Sequence, residues 1–289
     1  WTSTQGSFAA RAQTGAVLDV PVSKIKVVPQ EIGGGFGGKI PIYLEPIAAM
    51  LSKASGQPVK LIMTRPAVFE STGPTPGSYI KIKMGANKDG KIVAAYAYIV
   101  FESGAYPGGL VGAAAMCVFS CYEIADGLID CYDVVLNKPR SFAYRAPGST
   151  QACFATEHVV ELLAAELGID PLEFRLKNSA TTGPRRIDGV VYPKMGCKEV
   201  LEAMKNHPHY QAVKAAGHGR GVAIGFWFNI GFDSACNIAV NSDGSINLTE
   251  GSTDIGGSRT SIAMHAAEVL GIPVEDVSPS VVDTDTIGF

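Results

Sequence analysis

Between Ile32 and Lys39 the chain reads Ile32-Gly33-Gly34-Gly35-Phe36-Gly37-Gly38-Lys39, a run that can present successive backbone N–H groups to an anion or a polar ring system. Residue types test two nucleotide readings of it. A phosphate-binding P-loop needs Ser or Thr after its Lys to complete a magnesium site, whereas Ile40-Pro41 follows Lys39. A dinucleotide fingerprint must open a helix, which Pro41 opposes. Phe36 carries a ring that is costly to leave in water, so the run reads as a ligand-facing loop rather than a flexible linker. Glycine clusters again at residues 104–112 and 251–257, where backbone turns tightly or approaches a ligand. His207-Pro208-His209 could chelate a metal in isolation but has no third ligand nearby, and it reads as an exposed loop. His158 and His265 read as packing or surface residues of helices, and Glu250 with Asp254 as a carboxylate pair that nothing around it marks as catalytic. The six cysteines, Cys117, Cys121, Cys131, Cys153, Cys197 and Cys236, show no C-x-x-C pair and no zinc or iron–sulfur spacing, and read as buried reduced thiols.

The elements that must position these groups are punctuated clearly. Alternating or β-branched runs at residues 24–29, 59–64, 79–84, 92–101, 222–228, 235–241 and 245–249 predict strands. Two Asp-Gly turns, Asn87-Lys88-Asp89-Gly90 and Ser242-Asp243-Gly244, predict antiparallel hairpins. Helices are expected at 45–54 and 156–167, stopped by Gly56 and Gly168, and at 258–270. Asp170-Pro171-Leu172-Glu173 restarts a helix, with Asp170 as cap and Glu173 reaching back in a capping box. Strands outnumber helices in this reading, without a strict βαβ rhythm. The fold class is therefore α+β, mixed and antiparallel sheets with packed helices, with a domain boundary near Gly217.

Composition excludes several function classes. A net charge of −3 with 18% charged and 46% apolar residues over 289 positions describes an ordinary globular protein with no basic excess for nucleic acid. No apolar run approaches the roughly 20 residues that span a bilayer. A cytoplasmic setting is expected, although the chain opens on Trp1 rather than Met and export stays open.

A series of motifs then resembles one family. Trp1-Thr2-Ser3-Thr4-Gln5, the loop from Gly33 to Lys39, Gln57-Pro58-Val59-Lys60 with Arg65, Gly85-Ala86-Asn87-Lys88-Asp89-Gly90, and Gly104-Ala105-Tyr106 follow one another in order. After them come Phe142-Ala143-Tyr144-Arg145-Ala146-Pro147-Gly148 with Gln151 and Glu157, then Asp170-Pro171 with Arg175 and Asn178. Residues 251–260, Ala267-Glu268-Val269-Leu270-Gly271 and Asp283-Thr284 complete the series. It resembles the molybdopterin-binding large subunit of the xanthine oxidase and aldehyde oxidoreductase family of molybdenum hydroxylases, as a fragment.

The resemblance implies a first molybdopterin-binding domain over residues 1–216, missing its N-terminal part, and the truncated start of a second over 217–289. It implies hydroxylation of an aldehyde or N-heterocyclic carbon with water as oxygen source. The cofactor would be molybdenum-molybdopterin, in a form that could be the cytosine dinucleotide, with 2Fe-2S and FAD on partner chains or missing domains of an oligomeric assembly. Gln5 would hydrogen-bond an oxygen ligand of the metal, which no protein side chain ligates directly. Gly35, Phe36 and Gly37 would lie against the centre, the ring shielding it and the Gly37 N–H donating. Arg145 would neutralise charge beside metal and pterin, with Ala146 next to it, and Gly256 and Gly257 would offer backbone contacts. Relatives read Gly-Gln-Gly there, so Ser258 or Arg259 would replace the missing glutamine. Gln5 and Arg145 are the catalytic residues implied. The base would be a glutamate in a Gly-Glu dipeptide, and none occurs in these 289 residues, so the chain alone is expected to be inactive. Ile40-Pro41-Ile42-Tyr43 stands where purine-oxidising relatives carry a substrate-binding acid, which argues against xanthine. Ala146 stands where carbon monoxide dehydrogenases carry a copper-binding cysteine, which argues against carbon monoxide. The rival is a non-catalytic scaffold that kept the fold and lost the cofactor.

Overall fold

The two Asp-Gly turns close the hairpins expected of them. In the computed structural model, which describes residues 1–73, 75–181, 183, 186–191, 194–228 and 234–288, Asn87 Oδ1 accepts from Lys91 N at 2.7 Å and Gly90 takes φ 86°. This turn joins β1 (Ser78–Ala86) to β2 (Ile92–Gly104) in an antiparallel pair. The chain divides into two compact units, one of Trp1–Pro74, Ala143–Arg145 and Ile230–Phe289, the other of Thr75–Phe142 and Ala146–Asn229.

In the second of these, β3 (Asp126–Val135) joins β2 in parallel after crossing over through α4 (Val111–Cys117). Alternate residues of β2, Ala95, Ala97, Ile99 and Phe101, point to one face and are buried against Ala114, Val118 and Phe119 from α4 and its exit, and against Ala152. Alanines on both sides let helix and sheet approach closely. Ala152 and Val160 lie on α5 (Ser149–Leu167), which ends at Gly168 in the left-handed conformation that glycine adopts without strain. Asp170 Oδ1 accepts from Leu172 N and Glu173 N and so caps α6 (Pro171–Asn178). Glu173 does not reach back. It pairs with Lys205 on α7 (Cys197–Asn206), which α8 (Pro208–Gln211) follows. A polar network holds the helices together: Glu157 accepts from Tyr122 Oη, from Ile224 N at 2.9 Å and from the fully buried Arg175 Nε at 2.8 Å.

The other unit repeats the sheet plan. Its β4 (Cys236–Val240) and β5 (Ile246–Glu250) form the second hairpin, and β6 (Val277–Val281) returns parallel to β5 through α9 (Ser258–Leu270). Ile246, Leu248, Ala263, Ala267 and Val277 make its core. It also contains α1 (Ser7–Leu18), α2 (Glu45–Ser55) and α3 (Arg65–Ser71). Thr284 zips onto residue 27 from the far end of the chain: its Oγ1 accepts from Val27 N at 3.0 Å and its N–H donates to Val27 O at 3.1 Å. Arg11 donates to Thr284 O at 3.0 Å, and Lys26 pairs with Asp283 at 2.8 Å.

Several expectations need correction. Residues 24–29, 59–64 and 222–228 form no ladder strand; Lys24 closes a 3-10 turn, and Pro29 makes an isolated bridge with Thr2. Nine α-helices outnumber six strands among the described residues. Cys131 and Cys236 are exposed, unlike Cys117 and Cys121. Among the described residues, no helix is long and apolar enough to cross a membrane.

Candidate cofactor site

The opening segment runs extended: Thr2 N donates to Val28 O and Gln30 N to Thr2 O. It delivers Gln5 to the glycine loop, where Gln5 N donates to Lys39 O at 2.9 Å. The Gln5 carboxamide oxygen then accepts two loop donors, Gly37 N at 2.8 Å and Lys39 N at 3.1 Å. This differs from the expectation that the Gly37 N–H faces the cofactor. A carboxamide oxygen has two lone pairs, and here both close the loop, leaving the Gln5 amide N–H groups without a partner among the described residues.

Glycine is required at two points of this loop. A Cβ on Gly35 would stand 2.4 Å from Gln5 Oε1, and one on Gly37, at φ 97°, would stand 2.5 Å from Ala143 O. Phe36 itself holds φ 52°, a left-handed conformation that costs an L-residue about 1–2 kcal/mol. The arginine loop secures that geometry, since Arg145 N donates to Phe36 O at 2.7 Å. Gln5, Phe36, Gly37 and Arg145 are thereby brought together on three backbone strands of one unit. The Phe36 ring remains 54% exposed, and the Arg145 guanidinium is exposed with no hydrogen-bond or ion-pair partner among the described residues. Ala146, at φ 55°, belongs to the other unit.

The loop before α9 is built inwardly. Gly256 and Gly257 take φ 68° and 106°, and Asp254 Oδ1 accepts from Gly257 N at 2.7 Å. Arg259 donates through Nε and Nη2 to Asp254 Oδ2 at 3.1 and 3.0 Å. The Gly257 N–H and this guanidinium hold the Asp254 carboxyl below its ordinary range. Arg259 also reaches Glu31 at 3.4 Å, so this loop lies beside the start of the glycine loop. Ser258 Oγ accepts from Ile255 N and donates to Thr253 O. Both side chains expected to replace the missing glutamine are thus engaged within their own loop. Glu250, 2% exposed, is pushed up chiefly by burial; its Oε2 accepts from Ser252 and its Oε1 has no partner among the described residues.

Sequence reasoning missed Ala143, whose backbone lies under Gly37, and the bonding of Lys39. The first left no signal, because any residue offers a carbonyl. His207 Nδ1 merely accepts from His209 N, and His158 stacks on Phe154 with ring centroids 6.5 Å apart. Among the described residues no three His, Cys, Asp or Glu side chains gather as a metal site.

Residues 1–179 match one molybdopterin cofactor-binding domain model and residues 197–289 match a second. The chain belongs to the molybdopterin cofactor-binding family. The aldehyde oxidoreductase molybdenum-binding subunit PaoC of Escherichia coli K12 is 32% identical over 96% of this molybdopterin-binding chain and 39% of its own length. The nicotinate dehydrogenase large molybdopterin subunit of Eubacterium barkeri is 29% identical over 75% of the chain and 51% of its own. The crystal structure of quinoline 2-oxidoreductase from Pseudomonas putida 86 superposes with TM-score 0.86 at 21% identity, covering 99% of this chain and 41% of that one. The α+β fold is that of these molybdopterin-binding proteins. The chain spans about two-fifths of the length of PaoC.

Proposed function

We propose that this chain is the molybdenum-cofactor-binding part of an oxidoreductase that hydroxylates an aldehyde or an N-heterocyclic carbon, with water as the oxygen source. The observation carrying this reading is the meeting of Gln5, Phe36 and Arg145, with the Gln5 amide N–H groups and the Arg145 guanidinium unspent among the described residues. That donor set fits a molybdenum-pterin group. A neutral amide N–H can donate to an oxygen on the metal without adding charge, and a guanidinium can offset the anionic pterin phosphate and orient it through several donors. When bound, the group supplies the two-electron redox centre and the site of oxygen transfer.

The chain's own residues do the positioning. Gln5 orients a metal oxygen, the Phe36 ring covers the centre against bulk water, and Arg145 places fixed positive charge where negative charge develops. Gly256 and Gly257 offer backbone to the pterin, while Ser258 and Arg259 stiffen the loop that presents it. Electrons would leave through 2Fe-2S and FAD groups on partner chains or further domains, as PaoC is named a molybdenum-binding subunit. The division into two cofactor-binding domains near Gly217 belongs to the same reading.

The test is elemental and pterin analysis of the full-length assembly, matured in a host that makes the cofactor, followed by turnover of an aldehyde and N-heterocycle panel with an artificial electron acceptor. About one molybdenum per subunit, with activity on one class, is expected. A folded assembly without molybdenum or pterin would leave a non-catalytic scaffold.

A further inference from the structure

Five glycines and one phenylalanine make a loop with the largest conformational entropy a backbone can have, yet residues 33–38 must hold Phe36 and Gly37 in place. We infer that Lys39 is the positioning residue that clasps this loop shut. The inference rests on the cofactor-binding reading above and extends it to a side chain that the site does not otherwise use.

Lys39 closes the loop from both its backbone and its side chain. Its N–H donates to Gln5 Oε1 at 3.1 Å, and its carbonyl accepts from Gln5 N at 2.9 Å and from Thr4 Oγ1 at 3.3 Å. Its ammonium reaches back across the whole loop to the carbonyl of Ile32, the residue before the first glycine, and donates to Ser3 Oγ at 3.0 Å. Ile32 is 3% exposed, so the clasp is anchored to a fixed point. Ser3 Oγ in turn donates to Glu31 O at 2.9 Å, which ties both stems of the loop to the segment carrying Gln5. Partial burial and the neighbouring Arg65 charge lower the Lys39 pKa. The ammonium is thus kept in a place that disfavours it, and only its two acceptors there compensate. An apolar side chain of equal length would fill the space but leave Ile32 O without that donor.

The experiment compares Lys39→Met, Lys39→Arg and Ser3→Ala with the parent in the full-length assembly, using Leu248→Ala in the core of the same unit as a control for general destabilisation. Amide hydrogen exchange at residues 33–38 is measured without cofactor, and molybdenum and pterin retention on dilution with it. Lys39→Met is expected to speed loop exchange and cofactor release by about tenfold each, the loss of one net hydrogen bond, with Lys39→Arg and Ser3→Ala in between. Leu248→Ala should lower the melting temperature without selective exchange at the loop. Loop exchange in Lys39→Met equal to the parent's, or matched by Leu248→Ala, overturns the clasp, as does faster exchange with unchanged cofactor retention. A parent assembly that carries neither molybdenum nor pterin overturns the functional reading instead, while the exchange comparison still decides the clasp.

Discussion

Replacing Gly37 by alanine should separate the packing demand of the site from the conformational demand of its backbone. Gly33 is the control: at φ 63° an added Cβ has nothing within 4 Å, so Gly33→Ala should cost only the left-handed penalty of about 1–2 kcal/mol. Gly37, at φ 97°, bears a similar or larger penalty and also meets the Ala143 backbone, with O at 2.5 Å and C at 2.8 Å. An ordinary carbon–oxygen contact is about 3.4 Å, so the two loops must part by roughly 0.9 Å. Parting them opposes the 2.7 Å bond from Arg145 N to Phe36 O, adding about 1 kcal/mol. The expected totals are about 1–2 kcal/mol for Gly33→Ala and about 2–4 kcal/mol for Gly37→Ala. Denaturant unfolding of the two variants without cofactor gives the difference, and molybdenum content after maturation gives the functional counterpart. Equal stability and equal molybdenum content in both would refute the argument that the glycine loop and the arginine loop are locked at Gly37.

Arg145→Ala, which removes an exposed side chain, should change unfolding free energy by no more than about 0.5 kcal/mol and yet slow turnover by about 10²–10³ at matched molybdenum content; equal rates would exclude a role for this guanidinium. Arg175→Met breaks a buried ion pair with Glu157 and should cost about 3–5 kcal/mol in denaturant unfolding, whereas a loss below about 1 kcal/mol would show that the network adds little. Lys26 holds the Asp283 carboxyl down to about 2. Because this pKa is depressed by folding, the pair stabilises fully above the ordinary carboxylate range near 4 and loses its contribution as pH falls toward about 2. Lys26→Met should therefore flatten the dependence of unfolding on pH across that window, and an unchanged slope would count against the pairing.

The parts legible in sequence were those fixed by local chemistry. Asp-Gly turns fixed both hairpins, Gly168 fixed the end of α5, and Asp170 capped α6 as its type predicts. Gln5, Phe36 and Arg145 were recognisable as a series, and they meet in one unit. Strands set by tertiary pairing were not legible. β3 carries three aspartates and is largely exposed, and β6 carries Pro279 within five residues, so neither looks like a strand before β2 or β5 accepts it. The converse failure is residues 222–228, apolar and aromatic enough for a strand, where Ile224 N donates to the Glu157 carboxylate instead of to a ladder. The Lys39 clasp and the Ala143 carbonyl under Gly37 were hidden for the same reason: both depend on a fold that brings distant backbone together.

The pairing of Thr284 with Val27 spans 257 residues, and it sets an order for the chain's biogenesis. During synthesis, Thr75–Phe142 and Ala146–Asn229 emerge together and can complete their sheet and helices from one nearly continuous stretch. Residues 1–74 emerge earlier, but one partner of their segment around Val27, Thr284, is made 257 residues later. A ribosome halted near residue 230 would thus carry a folded middle and an N-terminal segment still waiting for that partner. Closing so long a loop is slow relative to local pairing, so the segment around Val27 gains its Thr284 partner only after the middle of the chain has folded.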